Sequence, residues 1–216
     1  SQQWIQRHVT DKWVRYAQED MYRSRAAYKL KQLDTQFHFL RPHDTVVELG
    51  CNAGGWAQVA LERTGAVHGR SRGVVVGVDL LNMEPLDHHH FVKGDIREEG
   101  TMRRVCEVLE GRRAHAVLSD MAPRMTGQRH DDHAASVELA RTASAFAETV
   151  LRQGGWFVTK LFAGAHADRY RADLGERFRK VSVAKPKASR QESPEMYFVC
   201  RDYLGPEAPG PGDTKQ

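Results

Sequence analysis

The chain has 216 residues, with 32 Lys and Arg against 28 Asp and Glu, a formal net charge of +4 and 40% hydrophobic residues. That length carries a core of its own, and aliphatic clusters such as residues 73–78 need something to pack against, which excludes a chain disordered throughout. No run approaches the ~18 consecutive apolar residues of a membrane span, and Cys51, Cys106 and Cys200 make neither a C-x-x-C pair nor a disulfide framework, so a reducing compartment is the default.

Residues 1–31 hold seven Lys and Arg against three acids, and residues 177–190 hold six and no acid, which leaves −6 on the remainder. Trp4, Trp13, Tyr16, Tyr22 and Tyr28 interleave with the first basic segment. An RNA surface that stacks bases and contacts phosphates has this pattern, and so does a cluster of rings packed on one another. Ser24 is the expected N-cap of a helix reaching about Phe37, with Ala27, Leu30, Leu33 and Phe37 on one face. Short β-rich runs then alternate with helical ones. Strands are predicted at 45–48, 73–79, 91–93, 114–119, 156–162, 181–184 and 196–200. Helices are predicted at 55–63, 100–110, 136–152 and 167–178, and Gly154-Gly155 is expected to stop the third of these. This alternation predicts a doubly wound, mostly parallel α/β sheet with helices on both faces. The last two strands are separated by a loop of only about ten residues, too short for a helical crossover, and are expected to form an antiparallel hairpin. The domain reading is a basic helical extension at 1–40, the sheet domain at 41–204, and a Gly- and Pro-rich tail at 205–216.

The first strand runs into Leu49-Gly50-Cys51-Asn52-Ala53-Gly54-Gly55-Trp56, where glycines let the backbone approach a ligand at the carboxyl edge of the sheet. Asn52 stands where the dinucleotide fingerprint needs glycine, which disfavours a nicotinamide dehydrogenase. Successive strands bring Glu48, Asp79, Asp95 and Asp120 to one edge. Four carboxylates in register suit a cationic, ribose-bearing ligand.

With these acids, Arg23-Ser-Arg-Ala-Ala-Tyr-Lys-Leu30, Gly77-Val-Asp-Leu-Leu81, Ser119-Asp-Met-Ala-Pro123, Phe157-Val-Thr-Lys-Leu-Phe162 and Ser193-Pro-Glu-Met-Tyr-Phe198 occur in order. Together with the segment from Glu48 to Trp56, they resemble the RrmJ/FtsJ family of RNA ribose 2′-O-methyltransferases. The resemblance runs from about Trp4 to Cys200. It implies a Rossmann-like methyltransferase fold with a seven-stranded sheet and S-adenosylmethionine as methyl donor. It assigns the donor to Glu48, Gly50, Gly54, Gly55, Trp56, Asp79, Asp95 and Asp120, and a catalytic tetrad to Lys29, Asp120, Lys160 and Glu195. The expected RNA contacts are Arg23, Arg25, Lys31, Arg124, Lys185, Lys187 and Arg190. The chain departs from the family pattern at Cys51-Asn52-Ala53, where proline is usual, and at Arg124, where asparagine is common.

The implied substrate is large-subunit ribosomal RNA or a pre-ribosomal particle, at a uridine of the A-loop and in connection with ribosome assembly. Ribosomal proteins or assembly factors are possible further partners, with no membrane contact and a monomeric chain. Residues 185–193 and Asp131-Asp132-His133 look closer to mitochondrial than to bacterial enzymes, which implies the mitochondrial matrix, with the bacterial cytoplasm as the alternative. A methyltransferase of tRNA or an mRNA cap, and a non-enzymatic assembly factor that keeps the fold, stay open. His88-His89-His90 reads as a solvated loop before a strand. His130-Asp131-Asp132-His133 reads as a substrate-contact loop rather than a metal site, and no metal is expected.

Overall fold

The computed structural model describes Ile5, Gln6 and residues 10–206. Trp4 and residues 207–216 of the tail lie outside the described residues. The elements in chain order begin with α1 (Lys12–Glu19), α2 (Ala26–Phe37), β1 (Val46–Leu49), α3 (Gly55–Thr64), β2 (Val75–Asp79), β3 (His89–Lys93) and α4 (Glu99–Leu109). They continue with β4 (Ala114–Ser119), α5 (Arg129–Val150), β5 (Leu151–Phe162), α6 (Ala167–Gly175), β6 (Phe178–Ala184) and β7 (Glu195–Tyr203). The sheet order is β3-β2-β1-β4-β5-β7-β6. The first five strands are parallel, and β7 inserts antiparallel between β5 and β6. This is the doubly wound sheet with a terminal antiparallel hairpin that the alternation and the ten-residue loop predicted.

The period-2 geometry of the strands divides the core between two faces. Val47, Leu49, Val76, Val78, Val117 and Phe157 pack against α4, α5 and α6 through Val105, Phe146 and Tyr170. Val46, Val75, Leu118 and Val158 pack against α2 and α3 through Leu30, Leu33, Trp56 and Val59. The Trp56 indole N–H donates to Ala26 O at 2.8 Å, which pins the start of α3 to the start of α2.

Three local expectations are corrected. Ser24 does not cap the second helix, which begins at Ala26 after Arg25 with no side-chain cap. Within the segment expected to be helical, α1 is capped by Asp11, whose carboxylate accepts from Trp13 N at 2.9 Å and so satisfies one of the free N–H groups of its first turn. Gly154-Gly155 does not stop a helix. α5 already ends at Val150, and the two glycines lie within β5, where Ala114 pairs Leu151 but Ala116 pairs Trp156, so extra residues bulge out of the ladder. His89 and His90 are not loop residues but open β3, opposite Val75 and Val76.

Candidate active site

The carboxyl ends of β1, β2 and β4 surround a cavity of about 670 Å³. Its walls include Gly50, Val78, Asp79, Asp95, Ile96, Asp120, Met121, Pro123 and Leu139. Gly50 sits at φ +79°, and a Cβ there would come within 2.6 Å of Met121 Cγ, so both backbone conformation and space require glycine. Asp79, the last residue of β2, accepts from Asn52 N at 2.8 Å and from Leu81 N at 2.9 Å, which fixes its carboxylate between the β1–α3 and β2–β3 loops. Asp95 is held at about pKa 2, chiefly by the side-chain hydrogen bonds of Arg97, which lies 2.5 Å away. Glu48 is different. It is fully buried within β1 and its Oε2 has no hydrogen-bond partner. Burial pushes its carboxyl well above the usual range, with the charges of Asp120 and Asp79 adding to the effect.

Beside this cavity stand two ion pairs. The antiparallel register places Tyr197 of β7 opposite Lys160 of β5. Both reach one atom, Asp120 Oδ1. The Tyr197 hydroxyl donates to it at 2.8 Å and Lys160 Nζ lies 3.2 Å from it, while Nζ also donates to Asp120 O at 2.9 Å. The second pair joins Lys29 of α2 to Glu195, the first residue of β7, at 2.5 Å. Burial raises the Glu195 carboxyl, but the Lys29 ion pair and hydrogen bond, with a contribution from the Lys160 charge, outweigh it and hold the group below its ordinary value. The side chains of all four residues are 10–15% exposed. The structure thus brings Lys29, Asp120, Lys160 and Glu195 together from four elements distant in the sequence. Tyr197, which motif reading did not single out, completes the Asp120 cluster. Its signal was its place two residues after Glu195 on one strand face.

A family model described as FtsJ-like methyltransferase matches residues 22–203. The chain belongs to the FtsJ-like methyltransferase family. It is 44% identical over 203 residues to the ribosomal RNA large subunit methyltransferase E of Alkalilimnicola ehrlichii, covering 94% of this chain and 95% of that one. It is 40% identical over 203 residues to the enzyme of the same name from Marinobacter nauticus, covering 94% and 96%. Among solved structures, a Plasmodium falciparum chain described as a ribosomal RNA methyltransferase superposes with a TM-score of 0.77 at 32% identity, covering 86% of this chain and all of that one. The curated relatives are bacterial, and they lend the mitochondrial expectation no support.

In this FtsJ-like methyltransferase the expected donor residues divide into two groups. Gly50, Asp79, Asp95 and Asp120 line the cavity, whereas Glu48, Gly54, Gly55 and Trp56 do not and instead shape the loop and core behind it. The expected RNA residues divide as well. Arg124 is exposed on the cavity wall, and Lys187 is exposed. Lys31 lies over the rings of Tyr22 and Tyr28 at 5.1 and 5.8 Å. Arg23 donates to Glu84 O at 2.5 Å and Pro85 O at 2.7 Å. Arg25 pairs with Asp11 at 3.2 Å and donates to Ala188 O. Lys185 donates to Ser193 O and, at 3.1 Å, to Glu195 O, and Arg190 lies 3.7 Å from Asp11. Arg23, Arg25 and Lys185 therefore staple loops together. The rings of Trp13, Tyr16 and Tyr22 pack around Tyr28 at 5.3–6.3 Å between centroids, so these four aromatics of the first segment pack on one another.

His130-Asp131-Asp132-His133 is not a loop but the first turn of α5, in which Asp132 and His133 turn inward while His130 stays exposed. The His133 ring bridges Phe162 O at 2.8 Å and His166 N at 3.0 Å and stacks on His166, while Asp132 accepts from Thr126 and Gly127 at the start of α5. Among the described residues no group of three or more His, Cys, Asp or Glu is placed to hold a metal ion. No helix among them is long and apolar enough to cross a membrane.

Proposed function

We propose that the protein transfers a methyl group from S-adenosylmethionine to a ribose 2′-hydroxyl of large-subunit ribosomal RNA, on pre-ribosomal particles in a bacterial cytoplasm. The observation that carries the reading is the convergence of Lys160, Tyr197 and Asp120 Oδ1 at the wall of an acidic cavity, with the Lys29–Glu195 pair beside them. The names of the bacterial relatives support the RNA substrate, and the tetrad resemblance supports the ribose oxygen. The same resemblance supports a uridine of the A-loop as the target and a link to ribosome assembly.

The cavity fits the donor. Its volume is in the ~300–1,000 Å³ range of small-molecule sites. It offers carboxylates at Asp79, Asp95 and Asp120 to hydroxyl, amino and sulfonium groups, and the required glycine at position 50 leaves the floor open. Bound there, the donor supplies a methyl group already activated by a cationic sulfur. The chain then has two tasks, to orient the ribose hydroxyl and to hold its proton. Asp120 fixes Lys160 Nζ through both its carboxylate and its backbone carbonyl, and the Tyr197 hydroxyl keeps that carboxylate from turning away. Lys160 is thereby the group that orients the hydroxyl. Glu195 holds Lys29, and the charge of Lys160 reaches Glu195, which sets the second ion pair next to the first.

Incubation with labelled donor and large-subunit particles, followed by mapping, is expected to place one label at a nucleotide whose backbone resists alkaline cleavage, the mark of a blocked 2′-hydroxyl. Label on a base, or none on ribosomal RNA, overturns the reading.

A further inference from the structure

Outside its two basic segments the sequence sums to −6, but the fold does not spread that remainder evenly. At the sheet edge opposite the candidate active site, loops entering successive strands each present arginine. Arg41 precedes β1, Arg70 and Arg72 precede β2, and Arg113 precedes β4. Arg152 lies at the start of β5, and Arg201 lies near the end of antiparallel β7, on the same edge. β2, β1, β4, β5 and β7 are consecutive in the sheet, so at ~4.8 Å between strands the row is about 19 Å long.

A polar cavity of about 250 Å³ lies in this edge, lined by Arg41, Asp44, His115, Arg152, Trp156 and Arg201 among others. Its acids are engaged. Asp44 accepts from Arg41 N at 3.0 Å and faces His115 at 3.8 Å, and Asp202 lies 3.4 Å from Arg201 and 3.8 Å from Arg179. Of the arginines in the row, Arg113 donates to Thr149 O at 2.6 Å and Arg201 has Asp202 beside it, and the other guanidinium groups are less engaged. Those of Arg41, Arg70 and Arg72 make no hydrogen bond or ion pair among the described residues, and Arg152 makes one long bond to Gln153 O at 3.4 Å. Arg201 is held over the Trp156 ring at 5.6 Å, so its fork is positioned in advance.

We propose that this amino edge of the sheet is a second RNA-binding face, which grips backbone phosphates of the large RNA whose ribose enters the active site at the opposite edge. Guanidinium forks spaced from β2 to β7 along one edge match a polyanion with repeated charge better than they match a single small anion, and the planar fork pairs bidentately with phosphate. The proposal rests on the ribosomal RNA reading only for the identity of the RNA. A short stem–loop that fills the active site does not reach around the sheet, so only a large folded RNA engages both edges.

The test compares wild type with two variants, Arg41→Gln/Arg152→Gln/Arg201→Gln and Arg70→Gln/Arg72→Gln. The second pair is exposed and outside the core, so it stays informative if the triple variant folds poorly. The probe is a full-length large-subunit ribosomal RNA transcript, titrated at several salt concentrations, with a short stem–loop, inorganic phosphate and polyglutamate alongside. Each variant is expected to bind the transcript about tenfold more weakly, with the log–log salt slope reduced by roughly 0.7–0.9 for each phosphate no longer neutralised. Stem–loop binding and donor binding are expected to stay at wild-type level. Wild-type affinity and slope for the transcript in both variants overturn the proposal. So does an effect confined to inorganic phosphate, an adventitious anion only, or one confined to polyglutamate, which assigns the edge to an acidic protein. Failure of the methyl-transfer mapping removes the proposed reaction but leaves transcript binding to judge this face.

Discussion

Lys29 and Glu195 meet at 2.5 Å with each side chain 11% exposed, so that one ion pair ties the α2 helix to the first residue of β7. Removing one partner leaves a charge in a poorly solvated place, which typically costs about 3–5 kcal/mol, whereas replacing both with neutral groups of similar size costs far less. Lys29→Ala and Glu195→Ala are each expected to lower the unfolding free energy by about 3 kcal/mol in urea titrations. Lys29→Met/Glu195→Gln is expected to recover most of that loss, and simple addition of the two single losses would show that the pair is not coupled. The pH dependence follows from the depressed carboxyl. Its stabilisation is fully present above the ordinary value of 4.5 and is lost as pH falls from there through the folded value. The acid limb of a stability profile should therefore flatten in Glu195→Gln.

Lys160 and Tyr197 converge on one oxygen of Asp120, which separates two roles that a single activity assay would merge. Lys160→Ala and Asp120→Ala are expected to reduce methyl transfer by at least ~10²-fold, the usual effect of losing a group that orients or carries a proton, with the fold intact by circular dichroism. Tyr197→Phe removes only the hydrogen bond that keeps Asp120 in place. Its expected signature is a fall in kcat with an unchanged KM for the donor. A change in donor KM alone would place Tyr197 in donor binding.

Arg25 tests whether a basic segment is a surface or a staple. With Asp11 at 3.2 Å and the Ala188 carbonyl as partners, it joins the start of α1 to the β6–β7 loop. Arg25→Glu places a carboxylate against Asp11 and is expected to cost roughly 3 kcal/mol of stability. Lys187→Glu, at an exposed position in the second basic segment, is expected to leave stability within ~0.5 kcal/mol while weakening binding to an RNA transcript. Equal RNA losses with unchanged stability in both variants would return Arg25 to the RNA surface.

Motif order and strand–helix alternation carried most of the architecture, because the sheet is built from short apolar runs whose ends are marked by glycine and acid. Asp79 and Asp120 could be read as site residues since each ends a run that can only be a buried strand. The features that escaped depend on contacts distant in sequence. Arg25 looks like any solvated arginine until α1 folds back to bring Asp11 beside it. Gly154-Gly155 has the composition of a helix stop, yet β4 pairs with the residues on either side and absorbs the glycines as a bulge. Glu48 shares the strand-end pattern and the sheet face of Asp79, but its register opposite Gly77 sets it two residues deeper along the strand, where it is buried beneath the cavity instead of lining it. The arginine row at the far edge is invisible to any window along the chain, since its members come from separate loops.

His89 shows how such a register effect becomes a pH response. As the first residue of β3 its ring lies against Gly77 of the neighbouring strand, where an added Cβ would come within 2.6 Å of Nε2 and 2.7 Å of Cys51 Sγ. Neither ring nitrogen has a hydrogen-bond partner. Burial, with smaller contributions from His90 and Arg23, lowers the imidazole from 6.5 to about 4. The folded protein therefore holds this ring neutral, while the unfolded chain takes up a proton below pH 6.5. Stability is full above that value and is lost as pH falls toward 4, by an amount on the order of 3 kcal/mol. His89→Phe keeps an aromatic ring over Gly77 and removes the titration. Urea unfolding between pH 7.5 and 4.5 should show a shallower loss of stability in the variant than in wild type, beginning near pH 6.5. Parallel profiles would mean that the ring is already protonated in the fold, or that it leaves Gly77 on protonation at no cost.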